Sequence, residues 1–110
     1  MSEAMKSMDA LAALGDGTRR KIIELLSSRP RSVGEIAREL PVSRPAVSQH
    51  LRVLKSAGLV TRRQEGTRNI YQLDPAGVAT MRRYLDSLWE AALTQYKATA
   101  EKTSPQEEEP

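Results

Sequence analysis

The sequence predicts a mainly α-helical domain that carries one small β-hairpin. Over most of the chain, apolar residues recur three and four positions apart, which is the spacing of a helix face that packs inward. Residues 59–73 are instead rich in strand-forming residues, with a glycine turn at their centre. A length of 110 residues fits a single domain. We assign this domain to residues 1–102 and predict a disordered acidic tail at 103–110.

Two amphipathic helices are predicted at the start of the chain. The first runs from Ser2 to Leu14 and repeats apolar residues at helical spacing: Met5, Met8, Leu11 and Ala12. Glycines on both sides of Asp16 interrupt this pattern, and Asp16 or Thr18 can cap a second helix that continues to about Ser27. The residues that this second helix is expected to bury are Ile22, Ile23, Leu25 and Leu26.

The middle of the chain predicts two short helices joined by a tight turn. Ser32 and Glu35 form a capping box that opens a third helix, whose inward stripe is Val33, Ile36, Ala37 and Leu40. Pro41 ends it, and Ser43 caps a fourth helix that closes at Gly58. The inward residues of the fourth helix are Val47, Leu51 and Leu54. Two short helices connected in this way cross steeply and form a helix-turn-helix.

A basic hairpin and a long helix follow. The segments Leu59–Arg63 and Asn69–Leu73 are strand-like, and the turn between them is Glu65-Gly66-Thr67. Because an isolated hairpin is barely stable, it must pack on the helices as a wing. Asp74 and Pro75 begin the last helix, which runs to about Ala100. The predicted fold is a winged helix-turn-helix with the order α1-α2-α3-α4-β-β-α5.

Positive charge is concentrated on the fourth helix and the wing. The chain has 17 Lys and Arg against 14 Asp and Glu, a net charge of +3. From Arg44 to Arg68, however, six basic residues accompany one acid, Glu65, which gives +5 in 25 residues. A run of this kind is either a solvated face or a binding surface for a polyanion. The polar outward face of the fourth helix and the basic wing together favour a polyanion, double-stranded DNA.

The outward face of the fourth helix has the chemistry needed to read base pairs. In a helix-turn-helix, the second helix enters the major groove with its N-terminal turns nearest the bases. Arg44 can pair with guanine and Gln49 with adenine, Ser48 suits either, and Pro45 and Ala46 can touch a thymine methyl. The residues expected to contact the DNA backbone, directly or from the wing, are Ser43, His50, Arg52, Lys55, Arg62, Arg63, Thr67 and Arg68. For His50, packing at the edge of the buried stripe or a phosphate contact is favoured, and a role as a ligand is the alternative.

The last helix has the heptad spacing of a helix that packs along another helix. Its apolar positions are Val78, Met81, Leu85, Leu88 and Ala92. Trp89 lies one position off this stripe, and Tyr84 and Tyr96 lie elsewhere on the same helix. Packing in the core or between subunits is the favoured interpretation of these aromatic residues, and an aromatic ligand pocket is the alternative.

Several functional classes lack the residues that they need. Cysteine is absent and there is one histidine, which excludes disulfides, thiolate metal ligands and cysteine nucleophiles. No glycine-rich phosphate loop is present, so we expect neither an enzyme nor a bound cofactor. The apolar runs are too short to span a bilayer, and the N-terminus lacks a signal-peptide pattern. We therefore expect an intracellular protein.

Four blocks of the chain resemble the ArsR-type winged-helix repressors of bacteria. They are Leu11–Leu26, Val33–Ala37, Ser43–Leu54, and Ala57–Val60 continued by Arg63–Tyr71. The resemblance covers roughly residues 10–74, and its middle block is the most specific. It implies a cytoplasmic homodimer that binds a palindromic operator and represses transcription, often of its own gene. It also implies that the first and last helices form the dimer interface, with Met5, Met8, Leu11, Met81, Leu85, Leu88, Trp89 and Ala92.

Two features depart from the resemblance. The cysteine pair that metal-sensing members often carry on the third helix has no counterpart between Ser32 and Leu40, and the last helix has no histidine. We therefore predict no high-affinity transition-metal site of the His/Cys kind. Pro41 also stands where many helix-turn-helix turns have glycine.

Two other functions remain open: a winged helix that binds an acidic protein, and an architectural DNA-binding protein with weak sequence preference.

Overall fold

A computed structural model describes residues 3–102, and the predicted acidic tail at 103–110 lies outside the described residues. The elements are α1 (Glu3–Ala13), α2 (Gly17–Ser28), β1 (Arg31–Ser32), α3 (Val33–Glu39), α4 (Arg44–Ser56), β2 (Val60–Glu65), β3 (Arg68–Leu73) and α5 (Pro75–Lys102). The mainly α-helical fold class with a hairpin wing is confirmed. The order of elements needs one correction, because a third strand, β1, lies between α2 and α3.

The three strands form an antiparallel sheet in the order β1-β3-β2. Strand β1 is two residues long and pairs Arg31 with Tyr71 and Ser32 with Ile70. The wing, which we define as β2, β3 and their turn, is closed at Gly66, whose φ of +61° favours glycine. Its register places Arg62 opposite Tyr71 and Arg63 opposite Ile70. Consecutive arginines therefore project from opposite faces of the wing.

The core forms where α2, α3, α4 and the sheet meet. Five side chains from the helices have no exposed surface: Ile22, Ile36, Val47, Leu51 and Leu54. Leu59, Val60 and Tyr71 join the same cluster from the sheet side. The inward stripe predicted for α4 is thus confirmed in full. The stripes of α2 and α3 are confirmed in part, since Ile23, Leu25, Val33, Ala37 and Leu40 are half-buried at the edge of the core.

Helix α1 packs against the domain through its small residues. Ser7, Ala10 and Ala13 are buried, and the Ser7 Oγ donates a hydrogen bond to the Thr80 carbonyl of α5 at 3.4 Å. Met5 and Met8 lie on the other side of α1 and are 55% and 61% exposed. The apolar stripe read from the sequence therefore faces away from the core of its own chain.

Helix α5 begins in close contact with the end of α4. Gly58 ends α4 with a φ of +81°, as predicted. A Cβ on Gly77 would overlap the Gly58 carbonyl, so the two backbones touch. The predicted cap of α5 is confirmed, because Asp74 accepts a hydrogen bond from the Ala76 amide at 3.0 Å. Within residues 3–102, no helix is long and apolar enough to cross a membrane.

Candidate nucleic-acid interface

Two features of the sequence hold α4 with its polar face outward. Ser43 caps the helix, since its Oγ accepts a hydrogen bond from the Ala46 amide at 3.2 Å, and Pro45 stands in the first turn. The fully buried stripe on the opposite side fixes the rotation of the helix about its axis. Of the residues predicted to read bases, Arg44, Pro45 and Gln49 are exposed, and Ala46 and Ser48 are half-buried.

Arg44 lies against the first turn of α3. Its guanidinium group covers Gly34, where an added Cβ would overlap it. Ser32, Thr67, Arg68 and Asn69 line the same cleft, which has a volume of about 230 Å³. The side chain of Arg44 therefore lies between α3 and the tip of the wing.

Gln49 is held by its neighbour one turn later on the same face. The Arg52 guanidinium donates a hydrogen bond to the Gln49 Oε1. Within residues 3–102 the Gln49 side chain makes no other hydrogen bond, so both N–H groups of its amide and the second lone pair of Oε1 are available. Gln49 can therefore still donate to N7 and accept from N6 of an adenine while Arg52 supports it.

The three wing arginines, Arg62, Arg63 and Arg68, have different surroundings, although the sequence predicts the same role for all of them. Arg63 is bound on the wing itself, with its Nη2 2.8 Å from Glu65 Oε2 and its Nη1 donating to Gln72 Oε1 at 3.0 Å. Arg68 pairs with Glu35 of α3, with 3.3 Å between Nη2 and Oε1. Arg62, on the opposite face of the wing from Arg63, has no ion pair within residues 3–102. Arg62 thus carries the least compensated of these charges.

Glu35 connects the wing to the helix-turn-helix. Its Oε1 accepts a hydrogen bond from the Ser32 amide at 2.8 Å, and the Ser32 Oγ accepts one from the Glu35 amide, as the capping box predicts. Its Oε2 lies 3.6 Å from the Nη1 of Arg29, in addition to the contact with Arg68. The bond from the Ser32 amide, and then the charges of Arg29 and Arg68, lower the pKa of Glu35 below its usual value.

His50 projects from the side of α4 that faces α2. It is half-buried, and its Nδ1 lies 3.5 Å from the Nη1 of Arg19. Arg19 also donates from Nε to the Ala13 carbonyl at 2.6 Å. Asp16 caps α2 by accepting the Arg19 amide, and this bond, followed by the charges of His50 and Arg19, lowers the pKa of Asp16. These contacts support the packing alternative for His50, and a phosphate contact by His50 stays a prediction.

A second cleft separates α4 from the wing. We call it the α4–wing cleft; it has a volume of about 360 Å³ and is lined by Ser48, Arg52, Lys55, Arg62, Asn69 and Tyr71. Sequence reasoning selected the first four of these residues and missed Asn69 and Tyr71. The alternation of side chains along a strand could have found both, since Asn69 and Tyr71 share the face of the wing that carries Arg62.

Comparison with known proteins identifies the group to which this fold and this surface belong. Residues 16–62 match the model of bacterial regulatory proteins of the arsR family. The HTH-type transcriptional regulator Rv2034 of Mycobacterium tuberculosis is 62% identical over 87 residues, which are 79% of this chain and 81% of that protein. The chain belongs to the ArsR family. It is therefore a transcriptional regulator built on a winged helix-turn-helix, and not an enzyme.

Further relatives of this ArsR-family chain extend the comparison. The transcriptional repressor SdpR of Bacillus subtilis is 37% identical over 62 residues, 56% of this chain and 69% of that protein. An ArsR-like transcriptional regulator from Rhodococcus has a TM-score of 0.82 at 27% identity and covers 93% of this chain and 96% of its own. A homodimeric winged helix-turn-helix DNA-binding domain from Mycobacterium bovis has a TM-score of 0.66 at 30% identity, over 84% and 85% of the two chains.

The residues predicted to form a dimer interface in this ArsR-family chain are mostly exposed. Leu85, Leu88 and Trp89 are 46%, 48% and 64% exposed, and Ala92 is exposed as well. Leu11 is half-buried, and Met81 packs partly against the core of its own domain. Within residues 3–102, no group of three or more His, Cys, Asp or Glu side chains is arranged to hold a metal ion.

Proposed function

We propose that this ArsR-family regulator is a repressor that binds a palindromic operator as a homodimer and blocks a promoter, often that of its own gene. The polar and cationic face of α4 beside the basic wing carries the proposal, because it is opposite a fully buried stripe and is open to a ligand. The name of the Bacillus subtilis relative, a transcriptional repressor, supports repression.

The two sides of this surface divide the work of binding DNA. Arg44, Pro45, Ala46, Ser48 and Gln49 read base edges in the major groove. Phosphate contacts come from Ser43, Arg52, Lys55, Thr67 and the wing arginines, and from His50 at the edge of this surface that faces α2. Among the wing arginines, Arg62 contributes most, because Arg63 and Arg68 each already have a carboxylate partner.

The homodimer forms through α1 and α5. Its interface uses the exposed apolar residues of both helices, including Met5, Met8, Leu85, Leu88 and Trp89. The domain from Mycobacterium bovis, which shares the fold and is homodimeric, supports a homodimer. Two-fold symmetry then separates the two α4 helices by one turn of DNA, roughly 34–36 Å, so that they enter successive major grooves.

Fluorescence anisotropy tests the proposal with two labelled duplexes, one from upstream of the protein's own gene and one with that sequence scrambled, each over a series of salt concentrations. A preference of about 10³-fold or more for the first duplex is expected of a specific autorepressor. Binding that depends steeply on salt but shows no preference would instead favour an architectural role. Failure to bind either duplex at low salt would contradict a DNA-binding function.

Gln49→Ala tests the assignment of base readout. It should reduce discrimination at one base pair of each half-site by about 1–3 kcal/mol, because the paired contacts to an adenine are lost. Binding to a scrambled duplex should change little. The measurement is anisotropy with a set of operators in which each base pair is changed in turn. Equal loss of affinity for every duplex would show that Gln49 supports binding without reading a base.

A further inference from the structure

The composition of the α4–wing cleft is that of an anion-binding site. Arg52, Lys55 and Arg62 are cations, Ser48, Asn69 and Tyr71 carry hydroxyl or amide groups, and none of the six is a carboxylate. We propose that this cleft is a phosphate-binding site and that one backbone phosphate of each operator half-site occupies it. This inference rests on the proposed function and adds to it two groups, Asn69 and Tyr71, that the sequence analysis did not select.

Regular spacing on both elements brings these groups to one place. Ser48, Arg52 and Lys55 are four and three residues apart, so they lie along one side of α4. Arg62 stands directly opposite Tyr71 in the wing, and Asn69 lies two residues before Tyr71 on the same face. The cleft is therefore built from two rigid elements rather than from a loop.

The groups in the cleft are available to a ligand. Within residues 3–102, Arg62 and Lys55 have no ion pair, and the Asn69 side chain has no hydrogen bond. Tyr71 is 9% exposed and belongs to the core, and its Oη has no hydrogen-bond partner among those residues. Within residues 3–102, every fully buried side-chain nitrogen or oxygen has a hydrogen-bond partner. Because the Tyr71 Oη has none, it is not fully buried and keeps some contact with solvent.

A phosphate forms more favourable interactions in this cleft than at the other two wing arginines. At Arg63 and Arg68 it would compete with Glu65 and Glu35 respectively. At Arg62 it meets a guanidinium group that no carboxylate within residues 3–102 neutralises, beside the neutral donors of Asn69 and Tyr71. Charge-assisted hydrogen bonds of this kind are the strong ones, and a guanidinium group can donate two of them to one phosphate.

Single methylphosphonate substitutions test the proposal, because each removes the charge of one phosphate in a duplex that the protein binds. With the wild-type protein, one position in each half-site should weaken binding by about tenfold. With Arg62→Gln, the same substitution should have little further effect, since its partner is already missing. Lys97→Gln is the matched control: it removes an exposed cation far along α5 and should retain the wild-type pattern.

Two milder variants examine the neutral donors. Tyr71→Phe keeps the buried ring and removes the hydroxyl, and Asn69→Ala removes the amide from an exposed position. Each should reduce the effect of the same methylphosphonate and leave the effects of the others unchanged. If Arg62→Gln and the wild type lose the same factor at every position, the cleft holds no DNA phosphate and the proposal is overturned, while DNA binding itself stands.

A titration without DNA separates this proposal from the proposed function. Pyrophosphate added to the free full-length protein should give saturable NMR shifts at the Arg62 Nε–Hε and Asn69 side-chain amide groups. The Arg62→Gln variant should lose the shift at Asn69. Such shifts would support the anion site even if no preferred duplex were found. Absence of these shifts would overturn the anion site itself, and shifts without the methylphosphonate coupling would overturn its assignment to an operator phosphate.

Discussion

The position of the Arg44 side chain depends on the absence of a side chain at Gly34. A Cβ at residue 34 would overlap the guanidinium group of Arg44. Because the displaced group is the end of a flexible side chain, the backbone of α3 need not move. Gly34 therefore governs where Arg44 points more than whether α3 forms.

Gly34→Ala should separate DNA recognition from stability. We expect an unfolding free energy within about 1 kcal/mol of the wild type, since alanine is favoured over glycine inside a helix by a similar amount. Discrimination at the base pair that we propose Arg44 to read should fall by about 1–3 kcal/mol. Urea denaturation and anisotropy measure the two effects. In the control Gly17→Ala, the added Cβ meets the Arg20 Nη2 at an ordinary 3.6 Å, so DNA binding should be unchanged.

Glu35 makes the folded state sensitive to acid. Its pKa is lowered in the folded protein relative to an ordinary value of 4.5, by the Ser32 amide first and by Arg29 and Arg68 next. The stabilisation of the folded protein by ionised Glu35 is therefore fully present above the pKa that Glu35 has in the unfolded chain. It is lost as the pH falls through the pKa of Glu35 in the folded protein. The ion pair between Glu35 of α3 and Arg68 of the wing is lost in the same range.

Glu35→Gln should reduce this loss of stability in acid. Glutamine can still accept the hydrogen bond from the Ser32 amide, but it does not titrate and does not attract Arg29 or Arg68. The melting temperature of the variant should be lower than that of the wild type at pH 7, and the two should converge below pH 4.5. Glu24→Gln, at an exposed position of α2, is the control. A constant difference at every pH would show that the ion pairs contribute nothing that titrates.

At the scale of single residues, the sequence predicts exposure better than partners. The face of α4 follows from three buried positions, so Gln49 and Arg52 could be placed outward before the structure was known. The different surroundings of Arg62, Arg63 and Arg68 depend on the strand register and on Glu35, which lies 33 residues before Arg68 in the chain. Patterns of neighbouring residues do not predict contacts between residues so far apart in the chain.

The junction between α4 and α5 is set by close backbone contact at Gly77. A side chain there would meet the Gly58 carbonyl, which is fixed at the left-handed end of α4. Gly77→Ala should therefore lower the unfolding free energy by about 1–3 kcal/mol, the usual cost of overpacking. Urea denaturation would measure it, with Gly17→Ala as the control that should be neutral or stabilising. A Gly77→Ala protein as stable as the wild type would show that α5 can shift without cost.

The sequence predicts elements well where their signals are local. The caps of α2, α3, α4 and α5 are formed by side chains within three residues of the amides that they bind. Three of them were predicted outright, and the cap of α2 was predicted as one of two residues, Asp16 or Thr18, of which the structure shows Asp16. Strand β1 was missed because it is two residues long and depends on Ile70 and Tyr71, almost forty positions later. The packing face of α1 was missed because its Ser and Ala residues carry a weaker signal than Met5 and Met8.

At the scale of the whole molecule, α5 extends beyond the part of the chain against which it packs. Its 28 residues extend about 42 Å at the usual helical rise, and the chain measures 66 Å along its longest axis. From Leu85 onward nearly every residue is exposed, including four large hydrophobic residues: Leu85, Leu88, Trp89 and Tyr96. Met5 and Met8 are exposed on α1 as well. Exposed apolar surface of this kind is typical of a subunit interface.

Leu88→Glu should therefore convert the protein to a monomer and abolish tight operator binding. A charge placed at the centre of the exposed stripe would be buried without a partner in the dimer, at a cost of several kcal/mol. In the monomer it would remain solvated, so the helical circular dichroism of the protein should persist. Thr94→Glu adds the same charge on another side of α5 and should remain dimeric. Sedimentation velocity measures the mass, and anisotropy with whole and half operators measures the binding. A Leu88→Glu variant that remains a dimer with unchanged operator affinity would show that the interface lies elsewhere. A monomer that still binds a half-site weakly would show that the exposed face of α5 forms the dimer that a palindromic operator requires.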